Sequence, residues 1–202
     1  MSVRVFRAGN GKLARLVVCV ALSLAGSGAL VMTNAAAALS GPKSAIVAGE
    51  EFTCFFSTAG RVSCWGSDGA GQSGNFAAAG VTQFVPVFVD LPAEVVVTQI
   101  ADGRAHACPV TSIGGIKCWG DNSQQQLGNA GPLVFRNVTP VDVALPAGAK
   151  AIQVTGGDSH SCAIVAGGSV WCWGADDTGS LVTGSRLELF SRFLVGLPFL
   201  AD

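Results

Sequence analysis

Six cysteines fall into three pairs, Cys54 and Cys64, Cys108 and Cys118, Cys162 and Cys172. The partners stand 10 residues apart, and each pair lies 54 residues from the next. Thiols so spaced support two chemistries: oxidation to a bridge across a hairpin, or ligation of a soft metal. His106 and His160 precede Cys108 and Cys162 by two residues, which puts an imidazole and a thiol on one strand face and raises a zinc reading. Phe52 holds that position in the first copy and cannot ligate, and the Cys-x2-Cys spacing of common structural zinc sites is missing. The metal reading is the weaker one, so neither metal nor cofactor is expected. Being repeat-equivalent, the histidines do not make a catalytic dyad; they read as partly buried hydrogen-bonding residues. No Ser-His-Asp order, paired carboxylates or phosphate-cradling glycine loop recurs in a strand–helix context, so the expectation is a protein without enzymatic activity.

The elements that must position these groups are legible in the same register. Trp65, Trp119 and Trp173 follow each second cysteine, and Gly66, Gly120 and Gly174 follow each tryptophan. Upstream, Gly49, Gly103 and Gly157 match, as do Ile46, Ile100 and Val154. Downstream, Pro86-Val87 matches Pro140-Val141 and Leu91-Pro92 matches Leu145-Pro146. Self-similarity at one fixed period marks an array of supersecondary units. Each unit reads as β. In the second copy, residues 95–100 are β-branched and suit a buried strand, 105–110 form a second, 111–115 supply a glycine-bearing turn, and 116–119 return. After a polar loop, 138–143 reads as an outer strand, where Pro140 fits an edge.

Four short strands in about 54 residues make one propeller blade. The expected fold is therefore all-β, a partial β-propeller of three four-stranded antiparallel blades at about 41–94, 95–148 and 149–202. Cys162 and Cys172 are equidistant from Gly167 in their turn, so they should face each other within disulfide reach. The repeat extends that pairing to Cys54–Cys64 and Cys108–Cys118. The repeat-locked tryptophans are expected between adjacent blades, with Trp171, outside the register, the better candidate for exposure.

The first 49 residues contain no acidic side chain. Arg4, Arg7, Lys12 and Arg15 precede an apolar run at 16–25, and Ala35–Ala38 offer small residues for cleavage. That pattern reads as a secretory signal peptide over 1–38, with a retained anchor as the rival. The whole chain carries a net charge of −1, but all four basic residues named above lie in the leader. The mature chain then has 8 basic and 13 acidic residues, a net −5. An acidic exported domain has little to offer nucleic-acid phosphates. Localisation is expected to be secreted or extracytoplasmic, with no membrane attachment after cleavage.

Gly-Gly-Asp-Ser-His-Ser-Cys-Ala-Ile at 156–164 and Gly-Ser-Val-Trp-Cys-Trp-Gly at 168–174 resemble the repeats of the regulator of chromosome condensation family. Cys118-Trp119-Gly120-Asp121-Asn122 and Gln126-Leu127-Gly128-Asn129 carry the likeness in the second copy. The cysteine-bearing form is more similar to exported bacterial-type members than to the nuclear protein. The resemblance implies a seven-bladed ring whose loops bind proteins, the nuclear member being an exchange factor for a small GTPase. Three blades cannot close such a ring. The third copy departs from the pattern, with Ser180-Leu181-Val182-Thr183 where 126–129 stood. A truncated reading frame, an oligomer that completes the ring and an open stack are the explanations. The expected function is a binding scaffold whose loops at 67–75, 121–129 and 175–183 face an unknown protein partner. Nucleotide exchange by descent and an exported propeller enzyme are the alternatives.

Overall fold

The computed structural model describes residues 44–132, 134–176, 179–181 and 195–197. The leader over 1–38 therefore lies outside the described residues. Three antiparallel sheets of four strands follow one another along the chain. The first contains β1 (Ala45–Ala48), β2 (Phe52–Phe56), β3 (Val62–Gly66) and β4 (Gln83–Phe88). The second contains β5 (Val97–Asp102), β6 (His106–Thr111), β7 (Lys117–Asp121) and β8 (Arg136–Asp142). The third contains β9 (Ala151–Gly156), β10 (His160–Val165), β11 (Val170–Gly174) and β12 (Val195–Leu197). In each sheet the strands lie in chain order, which is the meander of a propeller blade. The strand bounds sit one or two residues from those read in the sequence. Among the described residues, one 3-10 turn, Phe76–Ala78, accompanies the strands.

Side-chain alternation along β3, β7 and β11 organises the packing. Cysteine and tryptophan are adjacent there, so they leave opposite faces of the sheet. The sulfurs of one blade and the indole of the next meet in one core. Cys54, Cys64, Phe56 and Val62 pack with Ile100, Ala107 and Trp119 of the second blade. Cys108, Cys118, Ile116 and Leu127 pack in the same way with Val154, Ala163 and Trp173 of the third. The register against the outer strand shifts across Trp65 and across Trp119, a bulge that helps to turn the ring out of its own sheet. Within each pair the sulfurs lie 2.12, 2.06 and 2.09 Å apart, for Cys54/Cys64, Cys108/Cys118 and Cys162/Cys172.

Candidate functional site

A socket in the first blade receives the tryptophan of the second, and one in the second receives that of the third. Trp119 Nε1 donates to the Gln72 carbonyl at 2.8 Å, and Trp173 Nε1 to the Gln126 carbonyl at 2.9 Å. Two residues beyond each carbonyl stands a glycine in the left-handed region, Gly74 at φ +63° and Gly128 at φ +61°. A Cβ on Gly128 would lie 2.7 Å from the Trp173 ring. The loop around the socket is held by a carboxylate or amide. Asp68 Oδ1 accepts from Ser73 N at 2.6 Å, Asn122 Oδ1 from Leu127 N at 3.1 Å and Asp176 Oδ1 from Leu181 N at 2.8 Å.

This placement corrects two expectations. Part of each polar loop at 67–75 and 121–129 turns inward rather than towards a partner: Asp68, Gln72, Ser73, Asn122, Gln126 and Leu127 are buried. They are polar because a loop wedged between blades must satisfy its own backbone groups internally. Trp65 is not enclosed between blades but half-buried, because among the described residues no blade precedes the first one. Trp171 is half-buried on β11. Part of the third loop, including residues 177–178 and 182–183, lies outside the described residues.

The histidines pack over glycine. A Cβ on Gly103 would lie 2.0 Å from His106 Cε1, one on Gly157 2.1 Å from His160 Cε1, and one on Gly49 2.1 Å from Phe52 Cε1. The position needs a flat ring above a glycine, which explains why phenylalanine serves in the first blade. His106 is fully buried and His160 half-buried. His106 Nε2 lies 2.9 Å from Ser161 Oγ, which in turn donates to the Gln126 carbonyl at 3.2 Å. Nδ1 is left buried without a partner. Desolvation lowers the His106 pKa to about 4.

An unfolded histidine titrates near 6.5. Stability from the neutral ring is therefore full above pH 6.5 and is lost as the pH falls towards 4, by about 3 kcal/mol at most. His106→Phe should flatten that part of the stability–pH profile in urea titrations. An unchanged acid limb would show that another group sets it.

Gly66 and Gly174 end β3 and β11, and Gly120 stands one residue before the end of β7. The next N–H donates to the carbonyls of Glu51, Ala105 and Ser159 at 2.8, 2.9 and 2.8 Å. Those carbonyls belong to the turns between the first and second strands, which line up from blade to blade. Glu50 N donates to Arg104 O at 3.1 Å, and Arg104 N to Asp158 O at 3.2 Å. Their side chains form charged rungs: Arg104 Nε lies 2.7 Å from Glu50 and 3.9 Å from Asp158. Glu50's hydrogen bond, and then the charges of Glu50 and Asp158, raise the Arg104 pKa above its ordinary value.

The turns enclose a mouth of about 400 Å3, lined by Glu50, Glu51, Gln72, Arg104, Asp121, Ser123, Asp158 and Ser159 among others. Sequence reasoning missed this site. The available signal was the charged residue directly after each signature glycine, changing in sign from copy to copy (Glu50, Arg104, Asp158). Beside the rungs, Asp102 at the end of β5 buries both carboxylate oxygens without a hydrogen-bond partner. Desolvation raises its pKa to about 8. Among the described residues, no group of three or more His, Cys, Asp or Glu side chains is placed to hold a metal, and no helix is long and apolar enough to cross a membrane.

A profile described as the regulator of chromosome condensation (RCC1) repeat matches residues 114–164. A second profile of the same description matches 44–72 and 151–179. The mitochondrial RCC1 domain-containing protein RUG3 of Arabidopsis thaliana is 30% identical over 150 residues, covering 73% of this chain and 32% of RUG3. The ultraviolet-B receptor UVR8 of the same plant is 32% identical over 92 residues, covering 46% of this chain and 20% of the receptor. The chain thus spans about a third or less of the curated relatives it matches. Among solved structures, Prp20p from Saccharomyces cerevisiae superposes with a TM-score of 0.63 at 21% identity, covering 77% of this chain and 37% of that one. Human WBSCR16 gives 0.59 at 22% identity, covering 64% and 32%. Repeat profiles match segments of all three blades, RUG3 is 30% identical over 73% of the chain, and the solved relatives share its fold; the chain belongs to the RCC1-repeat family of β-propellers.

Proposed function

We propose that the chain is a secreted, disulfide-stabilised scaffold without catalytic activity, whose mouth holds a basic segment of a protein partner. The observation that carries this reading is the make-up of the mouth. Equivalent turns of all three blades contribute to it, with four carboxylates and a single cation, Arg104, that Glu50 already engages. Complementary charge of this kind speeds encounter and selects partners. The basic leader and its alanine run support export, and an oxidising compartment suits three cysteine pairs with touching sulfurs. Nucleotide exchange requires a cytosolic partner, and no feature of the mouth favours it.

The test takes full-length protein expressed with its leader. N-terminal sequencing should find the exported form cut near residue 38, with no cysteine open to thiol label before reduction. A lysine-rich peptide should bind, more weakly as salt rises. Glu51→Lys with Asp158→Lys should reduce that affinity at least ~tenfold. Free thiols at Cys108 and Cys118, or peptide binding indifferent to the charge reversal, would refute the reading.

A further inference from the structure

The turn between β2 and β3 and the segment that leaves β4 border a groove of about 420 Å3, which shares no lining residue with the mouth. Backbone hydrogen bonds fix its shape. Gly60 O accepts from Val97 N at 3.1 Å, Val62 O from Val89 N at 3.1 Å and Pro92 O from Val95 N at 3.0 Å. Gly60, at φ +76°, seats the turn closely: a Cβ there would lie 2.5 Å from Val96 Cγ1. Val62, Val89, Leu91, Pro92 and Val95 wall the groove. Arg61 is the one charged residue on its lining, and its guanidinium carbon lies 4.0 Å from the centre of the Phe88 ring. Among the described residues, no ion pair engages Arg61.

The second blade repeats this framework and replaces its lining. Gly114 O accepts from Ala151 N at 2.8 Å, Ile116 O from Val143 N at 3.0 Å and Pro146 O from Ala149 N at 2.9 Å, the same three bonds 54 residues on. Gly115 stands where Arg61 does, Asp142 where Phe88 does and Lys150 where Val96 does. Asp142 pairs with Lys117 at 2.8 Å, in the register that sets Phe88 against Ser63. The Asp142 side chain is 78% exposed although a blade precedes it, so the exposure of Phe88 belongs to the position. The second blade builds its sheet and its joint without the aromatic ring and the guanidinium. They are additions of the first blade that the framework does not require.

We infer that this groove binds a small organic monocarboxylate, its charged head on Arg61 and its apolar body against Val62, Val89, Leu91 and the Phe88 ring. One cation and no acidic group on the lining select a single negative charge. A planar guanidinium can pair with both oxygens of a carboxylate, and stacking on Phe88 holds that plane in place beforehand. The apolar walls then favour an acid with a hydrocarbon body over a bare anion. The volume falls within the roughly 300–1,000 Å3 of small-molecule sites. The site does not depend on what the mouth binds.

Isothermal titration of the full chain with sodium octanoate tests this. Octanoate should bind saturably at one site per chain. Acetate, which keeps the charge, and octan-1-ol, which keeps the hydrocarbon, should each bind at least ~tenfold more weakly. Arg61→Met removes the guanidinium, and Phe88→Asp places the second blade's residue in the first. Both side chains are exposed, so the melting temperature should hold while the octanoate dissociation constant rises at least ~tenfold. Lys150→Met, at the corresponding groove of the second blade, should leave that constant unchanged. Octanoate that does not saturate, octan-1-ol that binds equally well, or affinity lost with Lys150→Met in place of Arg61→Met would each overturn the inference.

Discussion

Gly128→Val should lower the melting temperature by about 10 °C, a cost of about 4 kcal/mol. Two penalties add at this position. The backbone stands at φ +61°, where an L residue costs roughly 1–2 kcal/mol and a β-branched one fares worst. The new Cβ would also lie 2.7 Å from the Trp173 ring, whose own hydrogen bond to the Gln126 carbonyl forbids retreat. Overpacking of this kind costs roughly 1–3 kcal/mol more. Gly80→Ala is the control. Gly80 has φ +83° but no heavy atom within 4 Å of its would-be Cβ, so only the backbone penalty applies, about 1 kcal/mol. Thermal unfolding followed by circular dichroism separates the two. Equal losses would mean that the socket is not what holds the second and third blades together.

Asp102→Ala should act in the opposite direction, stabilising the protein most in mild alkali. The folded carboxyl has a pKa near 8 because both oxygens are buried without a donor, whereas an unfolded aspartate ionises near 3.8. A raised folded value leaves the fold unpenalised below about pH 4. The cost then grows as the pH rises towards 8, reaching on the order of 4 kcal/mol by pH 7. Alanine already fills the equivalent place in the first blade, at Ala48, and glycine in the third, at Gly156. The joint therefore tolerates the loss of the carboxylate. Wild-type and variant melting curves should converge near pH 4 and part as pH rises, by about 10 °C at neutrality. Curves that run parallel from pH 4 to 8 would show that the carboxylate stays ionised in the fold.

Local pattern made most of the blade legible. The ten-residue cysteine spacing around a glycine turn placed Cys54 opposite Cys64 and Cys162 opposite Cys172 in register. The 54-residue period delivered three sheets with the same strand order. Properties supplied by a neighbour stayed out of reach. Trp65 and Trp119 sit in the same local sequence, Cys-Trp-Gly, and differ only in whether a socket covers them. The loop at 121–129 is polar enough to suggest the surface, yet its amide and carbonyl groups serve the joint. Asp102 stood out of register as a charge between Ala48 and Gly156. Its burial follows from β9 lying against β5, which no single repeat reveals.

The alignment of the strand-connecting turns has an evolutionary consequence. Within each turn the glycine under the aromatic ring is constant, while the adjoining residue is glutamate, arginine or aspartate. The first is tied to folding, and the second lines the mouth, where exposed charges bridge neighbouring turns. Mutation can therefore change the charge of the mouth one blade at a time, while the glycine that seats the ring stays fixed. Single substitutions at residues 50, 104 and 158 each reset one charge of that ring of turns, and duplicating a unit adds one more such position.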